Sequence, residues 1–375
     1  MHAELESMLT PVYKLTRDMT KGLRQNGGGV TDSEARYLVD LYYNMQANRI
    51  AVGNQSKGLE RDAKKSGNTA EPHEAIDWVG KQFTALEDSV AKLLAIYTET
   101  HPMAWFFDQT TGIGPILAAG LLAHIDINKA PTAGHIWRFA GLDPNVQWCS
   151  REQAKAIWTE TKGPSIEERL VAVAEKVGRN PANLIHMATH KPDGTEVKLT
   201  EANACSAISR KPFNGPLKTL CWKIGESFVK VSNHPDGFYG RVYRERKTLE
   251  WKRNLAGMLS DQATKALTGK KIGKQTDAHA WYSGGCSAEK ARALLESGTT
   301  PTAAACKADD DYPGVPMLPP AQIQMRSQRY AVKLFLSHLQ ESWWRQETGT
   351  EPPAPWVIAH GGHAHYIKPP QIAQK

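Results

Sequence analysis

Apolar positions recur at helical spacing along much of the chain. Residues 1–30 hold a short helical stretch that ends at Gly27-Gly28-Gly29. Thr31-Asp32-Ser33-Glu34 then has the capping-box form, a hydroxyl followed three residues later by Glu, and Leu38, Leu41, Tyr42, Met45 and Val52 continue a helix from it. Residues 53–73 are polar and rich in Lys, Ser, Gly and Asn, and read as a linker. Ile76, Val79, Phe83, Leu86, Val90, Leu93 and Tyr97 follow at steps of 3, 4, 3, 4, 3 and 4. That is a coiled-coil seam, which either a second copy of the chain or the helix at 32–52 can cover. His101-Pro102 ends it. Further on, 287–297 reads as a short helix inside a Gly-, Ala-, Pro- and Lys-rich loop region at 268–320. Met325 to Trp344 reads as an amphipathic helix.

The pattern breaks most sharply at Gly112-Ile113-Gly114-Pro115, where one apolar helix end meets the start of another. Glycines there permit backbone angles that other residues avoid, and Pro115 suits a first helical turn. A helix start at an exposed hairpin offers free N–H groups and a positive dipole end, which fits a backbone phosphate. Gly112, Ile113 and Gly114 are therefore candidate phosphate-binding residues, and Ala118, Ala119 and Gly120 allow close helix packing. The alternative is a tight turn between two core helices.

Charge sharpens this picture. The 375 residues carry a formal net charge of +7. Between Asn214 and Gln275 there are 13 Lys or Arg against five Asp or Glu, so the rest of the chain is close to neutral. Lys211, Lys218, Lys223, Arg241, Arg244, Arg246, Lys247, Lys252 and Arg253 are read as phosphate contacts, and the interleaved Trp222, Phe228, Tyr239, Tyr243 and Trp251 as packing. Five scattered cysteines show no C-x-x-C spacing, which excludes a zinc ribbon. Their odd count, with no signal-peptide pattern, points to a reducing cytoplasm. No apolar run has the length of a membrane span.

Leu170 to Met187 reads as helix, turn, helix. Ala174, Gly178 and Leu184 have the spacing of DNA-binding units whose second helix enters the major groove, and Asn180-Pro181 caps that helix. Asn183 and His186, with Ala182 and His190, would face out, and Asn can pair with adenine. An ordinary helical hairpin has the same pattern.

The order Gly112-Ile113-Gly114-Pro115, Ala118-Ala119, Leu121-Leu122-Ala123, Ile125-Asp126, Phe139-Ala140-Gly141-Leu142 and Pro144 resembles the C-terminal domain of RNA-bridged insertion-sequence transposases, which join a RuvC-like domain to a serine-bearing domain. The similarity resumes at Ile208-Ser209-Arg210-Lys211, Asn214, Leu217-Lys218 and Phe238-Tyr239 with Arg241 and Arg244. It implies a mobile-element protein that binds nucleic acid. In the family a serine shortly after the Gly-Leu-x-Pro step is an active residue, usually followed by Gly. Here Ser150 has that place with Arg151 after it, and no base is placed by sequence to activate it. Residues 1–75 show no strand run bearing carboxylates, so the resemblance carries over without the RuvC-like part.

The expectation is thus a mainly α protein, a helical bundle around a helix-hairpin-helix with an inserted helix-turn-helix-like unit. The expected regions are 1–73 (helical with linker), 74–150 (seam helix and hairpin), 151–207 (insertion), 208–268 (basic segment) and 269–375 (linker, last helix and Pro/His tail). The partner is DNA, with RNA left open; a homodimer through 76–97 is left open too. The reading leans to binding over catalysis, with a serine recombinase using Ser150 and a non-binding scaffold as rivals. No cofactor or metal is expected, because His360, His363 and His365 lack a fourth ligand and read as a loop cap.

Overall fold

The capping box at Thr31 forms as its residues predict. The Thr31 N–H donates to Glu34 Oε2 at 2.8 Å, and the Glu34 N–H donates to Thr31 Oγ1 at 3.3 Å. It opens α1 (Asp32–Lys65). The computed structural model describes residues 14, 16–22, 24, 29–65, 67, 74–191, 193–269, 272–353 and 366–371. After α1 come α2 (Glu74–Glu99), α3 (Ala104–Asp108), α4 (Pro115–His124), a 3-10 turn (Ile127–Lys129), α5 (Ala133–Phe139), α6 (Arg151–Glu160), α7 (Ile166–Lys176), α8 (Pro181–Thr189) and α9 (Glu201–Ser209). Then follow α10 (Gly215–Lys230), α11 (Phe238–Leu255), α12 (Ser260–Gly269), α13 (Asp277–Ser283), α14 (Ala288–Glu296) and α15 (Pro320–Thr348). The fold is mainly α; the described residues contain no strand, only isolated bridges such as Cys286 with Lys307. None of the helices is long and apolar enough to cross a membrane.

Two expectations about local structure are corrected. Residues 53–65 are helix, not linker: α1 runs on to Lys65, because Gln, Lys, Leu, Glu, Arg and Ala are good helix formers even where no apolar stripe marks them. The region 268–320 is also more helical than its composition suggests, with α13 started by Thr276, whose hydroxyl accepts the His279 N–H at 3.3 Å. The tail residues His360, His363 and His365 lie outside the described residues.

The chain divides into two compact units, residues 1–221 with 338–375, and residues 222–337. The boundary expected at 268 therefore falls inside the second unit. The reason is a shared core in which Trp251 and Leu259 pack with Trp281, Tyr282, Cys286 and Met317.

In the first unit, α2 lies against α1 of the same chain. Arg49 Nε is 2.6 Å from Glu87 Oε2, and Val52 Cγ1 sits 3.1 Å from where a Cβ on Gly80 would be. Val90 and Tyr97 of the seam are buried, whereas Leu86 is exposed. The Tyr97 hydroxyl donates to Asp32 Oδ1 at 2.8 Å, and Arg36 donates to the Ala123 carbonyl at the end of α4. The last turns of α15 close this unit: Gln340 Nε2 donates to the Ala130 carbonyl at 3.1 Å, and the Trp343 and His101 rings meet edge to face.

Residues 151–207 build a small core of their own inside this unit. Trp158, Leu170, Val173, Ala174, Leu184, Ala204 and Ile208 pack together from α6, α7, α8 and α9. Arg169 lies over the Trp158 ring, 3.9 Å from its centroid, and pairs with Glu201 at 2.8 Å.

In the second unit, Phe228, Tyr239 and Phe335 form an aromatic cluster with centroids 5.1–5.5 Å apart. The Asn254 side chain exchanges two 2.9 Å hydrogen bonds with the Leu318 backbone.

Burial gives the first unit a pH dependence. His338 is buried with its ring nitrogen 2.8 Å from the Ile367 carbonyl, and burial pushes its pKa down to about 4. The unfolded chain takes up the proton near the usual histidine value and the folded chain does not, so stability falls as pH drops from about 6.5 to about 4. This one group contributes about 3 kcal/mol of that loss, and a pH series of thermal melts on His338→Gln should show a correspondingly flatter dependence.

Candidate nucleic-acid interface

The turn between α3 and α4 is built from a short helix, a left-handed glycine and a helix start with no side-chain cap. Phe106 and Phe107 of α3 are buried. The Thr110 hydroxyl donates to the Phe106 carbonyl and accepts from Gln371 Nε2, each at 2.7 Å. Gly112 has φ +97, a conformation L side chains avoid. Gly114 is extended, exposed and at the N-cap of α4, with Pro115 in the first turn as expected.

The three candidate residues divide in role. Ile113 is buried, and its N–H donates to the Thr110 carbonyl at 3.0 Å, so its amide closes the loop and does not face a ligand. Gly112 supplies the turn. Among the described residues nothing is hydrogen-bonded to the amides of Gly114, Ile116 and Leu117, so the outward donors lie at Gly114 and one turn beyond it.

The sequence-distant blocks meet here. Gly120 of α4 faces Leu220 of α10 so closely that a Cβ would stand 2.7 Å from Leu220 Cδ2. Gly141, with φ +67, leaves equally little room beside Phe213 and Lys218. The Asn214 N–H donates to the Phe139 carbonyl at 2.8 Å, while Asn214 Oδ1 accepts the Leu217 N–H at 2.9 Å and caps α10. Pro115 and Gly215 each lie five residues from the crossing, about 7.5 Å along the helix. With a normal interhelical spacing the two helix starts are no more than about 18 Å apart. Lys211 and Lys218 are exposed beside the second start; Lys218 Nζ is 4.0 Å from the Phe213 ring centroid.

Ser150 opens α6 in a full capping box. Its hydroxyl oxygen accepts the Gln153 N–H at 3.2 Å, and its own N–H donates to Gln153 Oε1 at 2.9 Å. The Ser150-Arg151-Glu152-Gln153 spacing signals such a box, a cue the sequence reading passed over. Among the described residues no base is hydrogen-bonded to this hydroxyl.

The inserted unit has the expected helix, turn and helix. Gly178, with φ +66, makes the turn, and a Cβ there would strike the Asn145 carbonyl at 2.2 Å. Asn180 caps α8 by accepting the Asn183 N–H at 3.3 Å. Asn183 and His186 are exposed. Sequence reasoning gave no role to Arg179, which is buried and donates to the carbonyls of Ala207 and Ile208 at the end of α9. A cation there complements the negative helix end.

In the second unit the basic residues separate into two groups. Arg246, Arg253 and Arg326 converge on the fully buried Glu250, at 2.5, 3.7 and 2.9 Å. Burial pushes the Glu250 carboxyl up, but Arg326 and Arg246 outweigh it and hold its pKa below the ordinary value. Arg246 and Arg253, both read from sequence as phosphate contacts, are thus paired with Glu250 while their side chains stay half-exposed. Arg241 donates to the Pro235 carbonyl, and Arg244 to Asn233 Oδ1 at 2.9 Å. Lys223 is half-buried, and burial with the nearby Lys230 lowers its pKa. Arg244, Lys247 and Lys252 line an open groove of about 1250 Å³ together with Arg292, which the sequence reading missed, and Glu296.

Residues 106–161 match the model of the transposase IS116/IS110/IS902 family. The matched stretch takes in the hairpin, α4, the Gly141 turn and Ser150, and is a transposase-related region. No curated protein and no solved structure matches the chain.

Two substitutions check these structural roles by denaturant unfolding. Glu250→Gln leaves three guanidinium groups around a neutral side chain and should destabilise the second unit by about 3 kcal/mol. Ser150→Ala should cost about 1 kcal/mol through the lost cap, and Ser150→Asn should restore it.

Proposed function

We propose that this chain is a transposase-related nucleic-acid-binding protein of a mobile element or phage that holds duplex DNA by its backbone. One observation carries the reading. The amides of Gly114, Ile116 and Leu117, unpartnered among the described residues, belong to the transposase-related region 106–161 and lie near a second helix start flanked by Lys211 and Lys218. Two positively poled helix starts with exposed ammonium groups complement a phosphate ladder and make no demand on base identity.

Lys247, Lys252, Arg244 and Arg292 offer a further cationic groove in the second unit. Asn183 and His186 on α8 are the residues available for base edges in a major groove. The exposed Leu86 on α2 is a seam residue left for a second copy.

Gly114→Asp separates fold from grip. Space is open around a Cβ at this position, its φ of −89 suits any residue, and Asp is a good N-cap, so melting should be unchanged or raised. The new carboxylate takes the amides and repels phosphate, so duplex affinity by fluorescence anisotropy should fall about tenfold. Wild-type affinity should fall linearly in log–log form with salt. Undiminished binding by Gly114→Asp removes the hairpin from the interface, and preference for RNA over DNA in the same assay changes the partner.

A second reading, a strand-transferring recombinase with Ser150 as nucleophile, has in its favour that Ser150 lies inside the matched residues. Ser150→Asn keeps the cap and removes the hydroxyl. Strand transfer by that variant at the wild-type rate would remove this reading.

A further inference from the structure

Two large aromatic side chains of the first unit stand in solvent beside the acid-free run that follows the insertion. Phe139 is 44% exposed and Trp148 is 50% exposed. Trp148 is tethered through its side chain and Phe139 through its backbone. The Trp148 indole N–H donates to the Ser209 carbonyl at 3.0 Å, which fixes the plane of the ring. The Phe139 carbonyl accepts the Asn214 N–H at 2.8 Å.

The Trp148 ring and the Phe139 backbone therefore both border the segment from Ser209 to Asn214. Five residue steps reach at most about 17 Å, so the two aromatics flank one short stretch of surface. That stretch carries Arg210 and Lys211, with Lys218 one helical turn beyond, and no acidic residue occurs between Glu201 and Glu226. Lys211 Nζ is 5.7 Å from the Trp148 ring centroid. The acid nearest in sequence to Phe139, Asp143, accepts the Asn145 N–H at 2.9 Å in its own turn, and the one nearest to Trp148, Glu152, lies in the first turn of α6. Trp148 stands two residues before the capping Ser150.

Resting on the nucleic-acid reading above, we propose that Trp148 and Phe139 form a stacking platform for unpaired nucleobases, with Lys211 and Lys218 on the intervening phosphates. Flat, held, exposed rings with cations between them match a single strand, whose bases have free faces and whose backbone is anionic. Duplex bases stack on one another and leave no face for such a ring. Any base has a π-face, so the platform tolerates all sequences.

The test compares a labelled oligothymidylate of about 16 nucleotides, an abasic strand of the same length and a duplex of the same length, by fluorescence anisotropy. Trp148→Ala should weaken oligothymidylate binding about tenfold, Trp148→Phe should recover most of it, and duplex binding should change less than about twofold. The abasic strand should bind the wild type no better than it binds Trp148→Ala. A thermal melt of each variant controls for folding, and quenching of wild-type tryptophan fluorescence by oligothymidylate gives a readout without substitution. Equal losses on single strand and duplex, no loss on either, or a change in self-association with binding intact each overturn the platform and leave the duplex reading standing. A wild-type protein that binds none of the three ligands overturns both.

Discussion

The close crossing of α4 and α10 sets the geometry of the first unit. At Gly120 the Leu220 side chain is seated so closely on α4 that a Cβ would stand 2.7 Å from its Cδ2. Such an approach maximises dispersion contact per residue and leaves little freedom in position, because interiors are packed to near-crystalline density. The crossing holds two helix starts near one another, although the residues that form them are about a hundred positions apart in the chain. The Gly141 turn repeats the device, seating Phe213 and the stem of Lys218 where a side chain would otherwise stand.

Charge in this protein has two uses that composition alone does not separate. Arg179 is buried and satisfies helix-end carbonyls, while the half-exposed Arg246, Arg253 and Arg326 pair with the buried Glu250 carboxylate. A buried ion needs its partners, since an uncompensated charge away from water is costly. Lys211, Lys218 and Lys252 are exposed. The strongly basic stretch after Asn214 is therefore partly a structural feature of its own helices.

Residues 151–207 bring a core of their own. Trp158, Leu170 and Leu184 bury one another. At their junctions the contacts are backbone-mediated: Gln147 N–H to the Val177 carbonyl, Arg138 to the Gly178 carbonyl, and Asn145 packed on Gly178. A unit that satisfies itself internally can be carried by a host fold at the expense of only a few such contacts.

The sequence by itself determined the helical character, the Thr31 capping box, the glycine turn before Pro115, the turn at Gly178 and the exposed positions Asn183 and His186. All of these rest on local rules: which residues cap, which tolerate positive φ, and which repeat at helical period. The extension of α1 through 53–65 and the helices within 268–320 escaped, because polar helices carry weak periodicity. What only the tertiary structure decided is which polar groups are already spent. Ile113 was named as a phosphate donor, yet its amide closes the loop on Thr110. Arg246 and Arg253 were named as phosphate contacts, yet both face Glu250. Ser150 shares its hydroxyl with a helix start, and Trp148 and Phe139 stand out in solvent where aromatic residues are normally buried. A residue's type states what it can donate or accept; its partner is set by what the packed chain brings within about 3 Å, and that depends on contacts between positions far apart in sequence.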